Sequence, residues 1–186
     1  MRLSTLTSLT SDAANDIDRD DFDNRLLQHR FACDVVIITL FKTCEMDICI
    51  DFDGTCVTHE FPKIGRDIGA APILKALVAK GHRLILFTMR SDLDPAFQAR
   101  STHPEIVGDT GTYLTDALNW FHSNKIPLWG IQTNPLQARW TKSPKAYGHM
   151  YIDDAALGCP LVRPAQGRPF VDWGKVGKEL EERGLI

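Results

Sequence analysis

The chain has 186 residues, a formal net charge of −3 and a sequence pI of about 6.0. This length suffices for one well-buried domain and is too short for two ordinary ones. The weakly acidic balance gives no sign of a basic nucleic-acid-binding surface, although a nucleic acid stays open as a substrate. The five cysteines form no Cys-x-x-Cys pair. We therefore expect reduced thiols in a cytoplasmic protein, without a zinc site or a disulfide framework.

The first 45 residues differ in composition from the remainder. Residues 4–12 are rich in Ser and Thr, and residues 12–23 carry six aspartates with little apolar periodicity. We therefore expect a poorly ordered or loosely packed extension, which also lacks the continuous apolar stretch of a signal peptide. The apolar run at 35–41 is too short to cross a membrane and fits an edge strand or a short buried segment. A further hypothesis is that Met46 is the natural start, which mass spectrometry of the native N-terminus would test.

From residue 46 onward, strand-like and helix-like segments alternate. Strands are predicted at 46–50, 83–88, 128–132 and 149–152, and helices at 68–80, 113–124 and 171–183. Asp67 is a candidate N-cap of the first helix, and Gly81 is a natural stop after it. The alternation predicts an α/β domain over residues 46–186 with a largely parallel sheet.

Polar side chains end three of the predicted strands: Asp51 and Asp53, then Thr88, then the pair Asp153 and Asp154. Because side chains alternate along an extended chain, Asp51 and Asp53 face one side while Phe52 faces the packing side. Ligands of open parallel sheets bind beyond the carboxyl ends of the strands. We therefore expect these polar side chains to meet at one site. Taken alone, Asp-Phe-Asp-Gly also fits an ordinary polar turn.

In their joint order, Asp51-Phe52-Asp53, Thr88, Lys145 and Asp153-Asp154 resemble the four motifs of the haloacid dehalogenase superfamily. The resemblance covers residues 46–186 and is closest to the small members of that superfamily. It implies a Rossmann-like three-layer α/β/α fold with a mainly parallel sheet. The short stretches from Asp53 to Thr88 and from Thr88 to Lys145 leave no room for a sizeable cap domain. An uncapped site would be open, so it would admit a bulky substrate or be covered by another subunit of a homo-oligomer.

The resemblance also implies a role for each matched residue. Asp51 would attack phosphorus and form an aspartyl-phosphate, and Asp53 would protonate the leaving oxygen and later deprotonate water. Thr88 would bind the phosphoryl oxygens, and Lys145 would offset charge on the nucleophile and the phosphate. An acid at position 53 favours phosphatase or phosphotransferase chemistry over dehalogenation, because a halide leaves without a proton.

A magnesium ion is implied at the same place. Mg²⁺ prefers oxygen ligands in octahedral geometry and usually retains waters. The implied ligands are Asp51, the backbone carbonyl of Asp53, and Asp153. Asp154 would hold a metal-bound water or orient Lys145.

Other residues near the strand ends are weaker candidates. Arg90, Asn134 and Gly54 are candidate substrate contacts, because they follow the second strand, the third strand and the paired carboxylates. Gln132 is a further candidate that is equally well explained as a rim or capping residue. His59 could approach the leaving group, although a solvated loop histidine is the commoner outcome. The four tryptophans are expected to pack rather than to stack on bases: Trp120, Trp129, Trp140 and Trp173.

The predicted function is a Mg²⁺-dependent phosphohydrolase acting on a phosphate monoester, either a small molecule or the phosphorylated end of a larger one. No membrane partner is expected. Two alternatives stay open. A phosphotransferase would use the same mechanism with another acceptor, although the lack of a water-excluding cap argues against it. A module that binds phosphate or a protein partner without catalysis would not need the full set of matched residues.

Overall fold

The computed structural model describes residues 45–94, 96 and 111–186. The predictions for residues 1–44, including the poorly ordered extension and the apolar run at 35–41, lie outside the described residues. In the described part of the chain, no helix is both long and apolar enough to cross a membrane. The cysteines within it, Cys49, Cys56 and Cys159, are free thiols.

A parallel sheet lies at the centre of the fold. Its strands are β1 (Asp47–Ile50), β2 (Arg83–Leu86), β3 (Gly130–Ile131) and β4 (Met150–Ile152). Their order across the sheet is β3-β2-β1-β4. Ile50 pairs with Leu86 on one side and with Ile152 on the other, so three strands end side by side. The parallel pairing confirms the predicted α/β class with a mainly parallel sheet.

The helices lie within their predicted ranges. They are α1 (Ala70–Ala79), α2 (Tyr113–Ser123) and α3 (Trp173–Glu182). Gly81 has a φ of +90° just beyond the end of α1, which confirms it as the stop of that helix. Asp67 is not the N-cap, because the chain turns at Gly69 with a φ of 87° and enters the helix there. The Asp67 carboxylate instead accepts a hydrogen bond from the Gly69 N–H at 3.0 Å.

Strand residues alternate between the two faces of the sheet. On one face they form a single core with side chains from all three described helices; the strand members are Ile48, Ile50, Leu84, Leu86 and Ile152. On the other face, Cys49 and Ile85 pack with Ala146 of the β3–β4 connection and with Phe87. Phe52 is fully buried in the first core, as the alternation predicted.

A short antiparallel hairpin that was not predicted follows β4. It consists of β5 (Leu161–Val162) and β6 (Phe170–Val171). The Val171 N–H donates to the Gly54 carbonyl oxygen at 2.8 Å, which attaches the hairpin to the loop after β1. Helix α3 begins after this hairpin, later than predicted, because Asp172 caps it by accepting a hydrogen bond from the Lys175 N–H.

The tryptophans divide into two pairs. Trp120 and Trp173 pack in the core, as predicted. Trp129 and Trp140 are 40% and 65% exposed, which contradicts the prediction that they pack. The Arg83 guanidinium lies 4.9 Å from the centroid of a Trp129 ring, so this side chain is covered by a surface cation instead of by core residues.

Candidate functional site

Three predicted residues meet at the carboxyl edge of the sheet. Asp51 follows β1, and its N–H donates to the Ile152 carbonyl oxygen at 3.1 Å, which keeps it beside β4. Asp153 and Asp154 follow β4 directly. Oxygen atoms of the three carboxylates all lie within 4.8 Å of one another. The structure thus brings these side chains together at the ends of two adjacent parallel strands.

The Asp51 carboxyl group is strongly affected by this environment. Burial raises its pKa from 3.8 to about 7, against the opposing hydrogen bond from the Phe52 backbone. The negative charges of Asp153 and Asp154 add to the rise, and a hydrogen bond with the Thr88 side chain opposes it. Carboxylates that repel one another at this distance are suited to a divalent cation with oxygen ligands. The donor set therefore fits the predicted Mg²⁺.

The raised pKa predicts how stability depends on pH and on Mg²⁺. The folded state holds the Asp51 proton more tightly than the unfolded state does. The contribution of Asp51 to the free energy of unfolding is therefore full below pH 3.8 and is lost as the pH rises through about 7. This loss corresponds to at most about 4 kcal/mol. A bound cation offsets it, so we expect Mg²⁺ to raise the melting temperature more at about pH 8 than at about pH 5.

Thermal melts in Mg²⁺ and in EDTA at the two pH values measure this effect. The Asp51→Asn variant is the control, because its side chain does not titrate and the Mg²⁺ effect should depend less on pH. A melting temperature that responds equally to Mg²⁺ at both pH values would contradict the prediction.

Asp53 belongs to a salt bridge that was not predicted. Its carboxylate oxygens accept hydrogen bonds from Nε and Nη2 of Arg90, each at 2.7 Å. Arg90 also donates to the carbonyl oxygens of Pro62, Lys63 and Tyr113, and it is only 2% exposed. These donors are engaged inside the protein, which argues against the predicted substrate contact of Arg90. The Asp53 side chain likewise lies outside the acidic cluster, so only its backbone carbonyl stays a predicted metal ligand.

Thr88 is held in place by Gln132. The Gln132 side chain accepts a hydrogen bond from the Thr88 N–H at 3.1 Å and donates to the carbonyl oxygens of Thr88 and Arg90 at 2.6 and 2.9 Å. Gln132 follows β3, the neighbour of β2 in the sheet. It therefore lies at the predicted rim, where it fixes the loop after β2.

Gly54 allows a close approach between two other residues. It has a φ of +79°, and a Cβ there would lie 2.1 Å from His59 Nε2 and 2.8 Å from Asp154 Cγ. His59 Nε2 itself lies 2.9 Å from Asp154 Oδ2. The Gly54 N–H donates to Val57, and its carbonyl oxygen accepts from Val171. Both backbone groups are occupied, so we correct the predicted substrate contact of Gly54 to a structural role.

Two predicted residues lie elsewhere. Asn134 is 2% exposed and donates to the Asp47 carboxylate at 2.8 Å, at the start of β1 and therefore at the opposite end of the strand from Asp51. The Lys145 ammonium lies 5.2 Å from the centroid of the Tyr151 ring. Neither side chain lines the cavity that contains the acidic cluster. This placement argues against substrate binding by Asn134 and against direct contact of Lys145 with a phosphoryl group in the cavity.

The acidic cluster lies in a cavity of about 640 Å³. Beyond the acidic residues, Thr88 and Arg90, its walls are formed by His59, Phe61, Phe87, Met89, Ala155 and Arg168. The exposed Arg168 lies on the β5–β6 hairpin, and sequence reasoning missed it. The available signal was a pair of arginines, Arg163 and Arg168, in a turn with Gly and Pro that follows the acidic pair. In the described part of the chain, no separate cap domain covers the cavity.

Comparison with known proteins supports the fold and identifies no activity. No family model matches the chain, and no curated protein matches it. A solved structure of a conserved protein from Bacteroides thetaiotaomicron is similar, with 28% sequence identity and a TM-score of 0.52. The match covers 75% of this chain and 92% of that one. The α/β fold is therefore shared with that protein over most of its length.

Proposed function

We propose that the protein is a Mg²⁺-dependent phosphohydrolase that acts on phosphate monoesters through an aspartyl-phosphate on Asp51. The observation that carries the proposal is the cluster of Asp51, Asp153 and Asp154, whose oxygens lie within 4.8 Å of one another. The cluster lies where open parallel sheets bind ligands. The effect of the Thr88 side chain on the pKa of Asp51, which it lowers, and the resemblance to the haloacid dehalogenase superfamily give further support.

The proposed metal ligands are the carboxylates of Asp51 and Asp153 and the backbone carbonyl of Asp53, with Asp154 beside them. A bound Mg²⁺ would neutralise charge on these carboxylates and on the phosphoryl oxygens. This neutralisation matters for Asp51 in particular, because burial disfavours its ionised form, the form that attacks phosphorus.

The proposed reaction has two displacements. In the first, an Asp51 oxygen bonds to phosphorus, the ester P–O bond breaks, and the leaving oxygen takes a proton from Asp53. In the second, a water oxygen bonds to phosphorus, the bond between Asp51 and phosphorus breaks, and Asp53 takes the proton of the water. Inorganic phosphate then leaves. The two hydrogen bonds from Arg90 fix the orientation of the Asp53 carboxylate during both steps.

Arg168 takes the role that the resemblance assigned to Lys145. A guanidinium donates two parallel hydrogen bonds to a phosphate and carries a permanent positive charge. Arg90 lines the cavity as well, but its donors are engaged by Asp53 and by backbone carbonyls. Among the cavity walls formed by described residues, Arg168 is therefore the cation that we assign to the phosphoryl group.

A module that binds phosphate without catalysis is the second candidate. Two observations favour it: Lys145 does not line the cavity, and the proposed proton donor Asp53 is paired with Arg90. Binding would need only a cation at the acidic cluster and Arg168. The phosphotransferase alternative has less support, because Met89 is 98% exposed at the cavity and leaves its mouth open to water.

Release of inorganic phosphate from an aryl phosphate, with and without Mg²⁺, tests the proposal. We expect Mg²⁺-dependent turnover that falls about 100-fold in kcat/KM in Arg168→Ala, because a group that stabilises phosphoryl charge is lost. Lys145→Ala is the matched control and should change kcat/KM by less than about twofold. A larger loss of kcat/KM in Lys145→Ala than in Arg168→Ala would restore Lys145 as the cation that contacts the phosphoryl group. Phosphate binding without turnover in the wild-type protein would favour the binding module.

The proposal also includes a cytoplasmic location. The free thiols of Cys49, Cys56 and Cys159 support it, because reduced cysteines are typical of that compartment. Fractionation of cells that express the tagged chain would test this placement.

A further inference from the structure

The cavity is larger than a phosphoryl group needs, and part of its lining is apolar. At about 640 Å³ it falls within the range of pockets that enclose whole organic ligands. Besides the acidic cluster of Asp51, Asp153 and Asp154, the lining includes the apolar side chains of Phe61, Phe87 and Met89. The leaving group of a bound ester would therefore contact aromatic and thioether side chains.

The two rings are held in place before any ligand binds. Phe61 packs edge-on against Tyr113, with ring centroids 4.9 Å apart, and the Arg90 guanidinium lies 5.3 Å from its centroid. Phe87 packs edge-on against Tyr151 at 6.4 Å. Because these contacts fix the rings, a ligand that touches them does not have to order them first.

Met89 completes the apolar wall at the mouth of the cavity. It is 98% exposed, although methionine is an apolar side chain that folding normally buries. An exposed, flexible thioether adapts to the shape of an apolar partner and makes favourable contacts with aromatic rings. Arg90 anchors the backbone on one side of Met89, and Thr88 anchors it on the other through Gln132. The loop thus presents this side chain from a fixed position.

We propose that this site takes phosphate monoesters whose leaving group is aromatic, with the flat ring bound between Phe61, Phe87 and Met89. The proposal rests on the proposed function for the position of the phosphoryl group, at the acidic cluster and Arg168. It goes further because it names the chemical class of the leaving group. Polar leaving groups such as glycerol would leave the apolar walls in contact with water and gain little from them.

Binding of two phosphonates tests the substrate class without relying on turnover. Rate comparisons alone would mislead, because aryl esters hydrolyse faster than alkyl esters for purely chemical reasons. Phenylphosphonate and methylphosphonate carry the same anionic group and are not cleaved. In Mg²⁺, isothermal titration calorimetry should give a Kd about tenfold lower for phenylphosphonate, equivalent to about 1.4 kcal/mol.

Three variants test whether the preference for phenylphosphonate depends on the apolar side chain of Met89. In Met89→Ser the ratio of the two Kd values should fall to about threefold, and in Met89→Leu, which keeps an apolar side chain, it should persist. Leu157→Ser removes another fully exposed apolar side chain that does not line this cavity, and it should leave the ratio unchanged. Equal affinity for the two phosphonates in the wild-type protein would overturn the proposal. An unchanged ratio in Met89→Ser would overturn it as well.

Phosphate release from phenyl phosphate, measured on the same samples, separates this proposal from the proposed function. Preference for phenylphosphonate together with turnover supports both. The same preference without turnover supports the aromatic subsite and contradicts hydrolysis. Turnover without any preference for phenylphosphonate supports hydrolysis and overturns the aromatic subsite.

Discussion

Replacing Asp51 with asparagine is expected to abolish Mg²⁺-dependent phosphate release while making the metal-free protein more stable at neutral pH. An amide cannot serve as the attacking oxygen nucleophile, so we expect a loss in kcat of at least about 10³-fold. The same change removes a carboxylate whose ionised form is disfavoured by burial and by Asp153 and Asp154. Its removal should therefore raise the melting temperature in EDTA at about pH 8. Turnover assays and thermal melts on one preparation measure both effects.

Asp172→Asn is the matched control for this prediction. It makes the same chemical change at the N-cap of α3, where hydrogen bonds from Lys175 lower the pKa of the carboxyl group. The charged form is favoured there, so the change in stability at about pH 8 should have the opposite sign, with turnover unaffected. An Asp51→Asn protein that keeps its turnover would contradict Asp51 as the nucleophile. One that is destabilised in EDTA would contradict the account of its burial.

The carboxylates of the candidate site were predictable because the backbone alone places them. Asp51 and Asp153 come directly after apolar strands, and parallel strands bring their carboxyl ends to the same edge of the sheet. Because successive side chains of a strand point to opposite faces, Phe52 was expected in the core, where it lies. These inferences need only the period of a strand and the direction of pairing, both of which a sequence pattern encodes.

The residues that sequence reasoning misplaced are those whose position depends on loops. Lys145 and Asn134 both lie in the β3–β4 connection, where distance along the chain does not determine which end of the sheet a side chain reaches. Arg168 reaches the cavity from a hairpin whose strands are two residues each, too short to give a period-two pattern. Arg90 was predicted to contact the substrate, yet its partners come from three separate segments that only the fold brings together.

Replacing Arg90 with methionine is expected to cause the largest loss of stability among the described surroundings of the cavity. Methionine keeps much of the length of the side chain but removes every hydrogen bond to Asp53 and to the backbone carbonyls around it. The Asp53 carboxylate, whose side chain is 16% exposed, would then have no cationic partner. Breaking such a pair from one side costs about 3 kcal/mol or more. Urea unfolding of both proteins at about pH 7 measures the loss, and phosphate release should fall with it because Asp53 is no longer oriented.

A control and a second substitution separate the buried charge from lost packing. Arg66→Met breaks the salt bridge to Glu60 in the segment between Asp53 and α1, where the arginine side chain is 82% exposed, and should cost less than about 1 kcal/mol. Adding Asp53→Asn to Arg90→Met removes the unpaired charge, so the double variant should be more stable than Arg90→Met alone. An Arg90→Met protein no less stable than Arg66→Met would mean that water solvates Asp53 without a partner. Failure of the second substitution to restore stability would place the cost in the carbonyls of Pro62, Lys63 and Tyr113 instead, because those acceptors lose the hydrogen bonds from Arg90 in both variants.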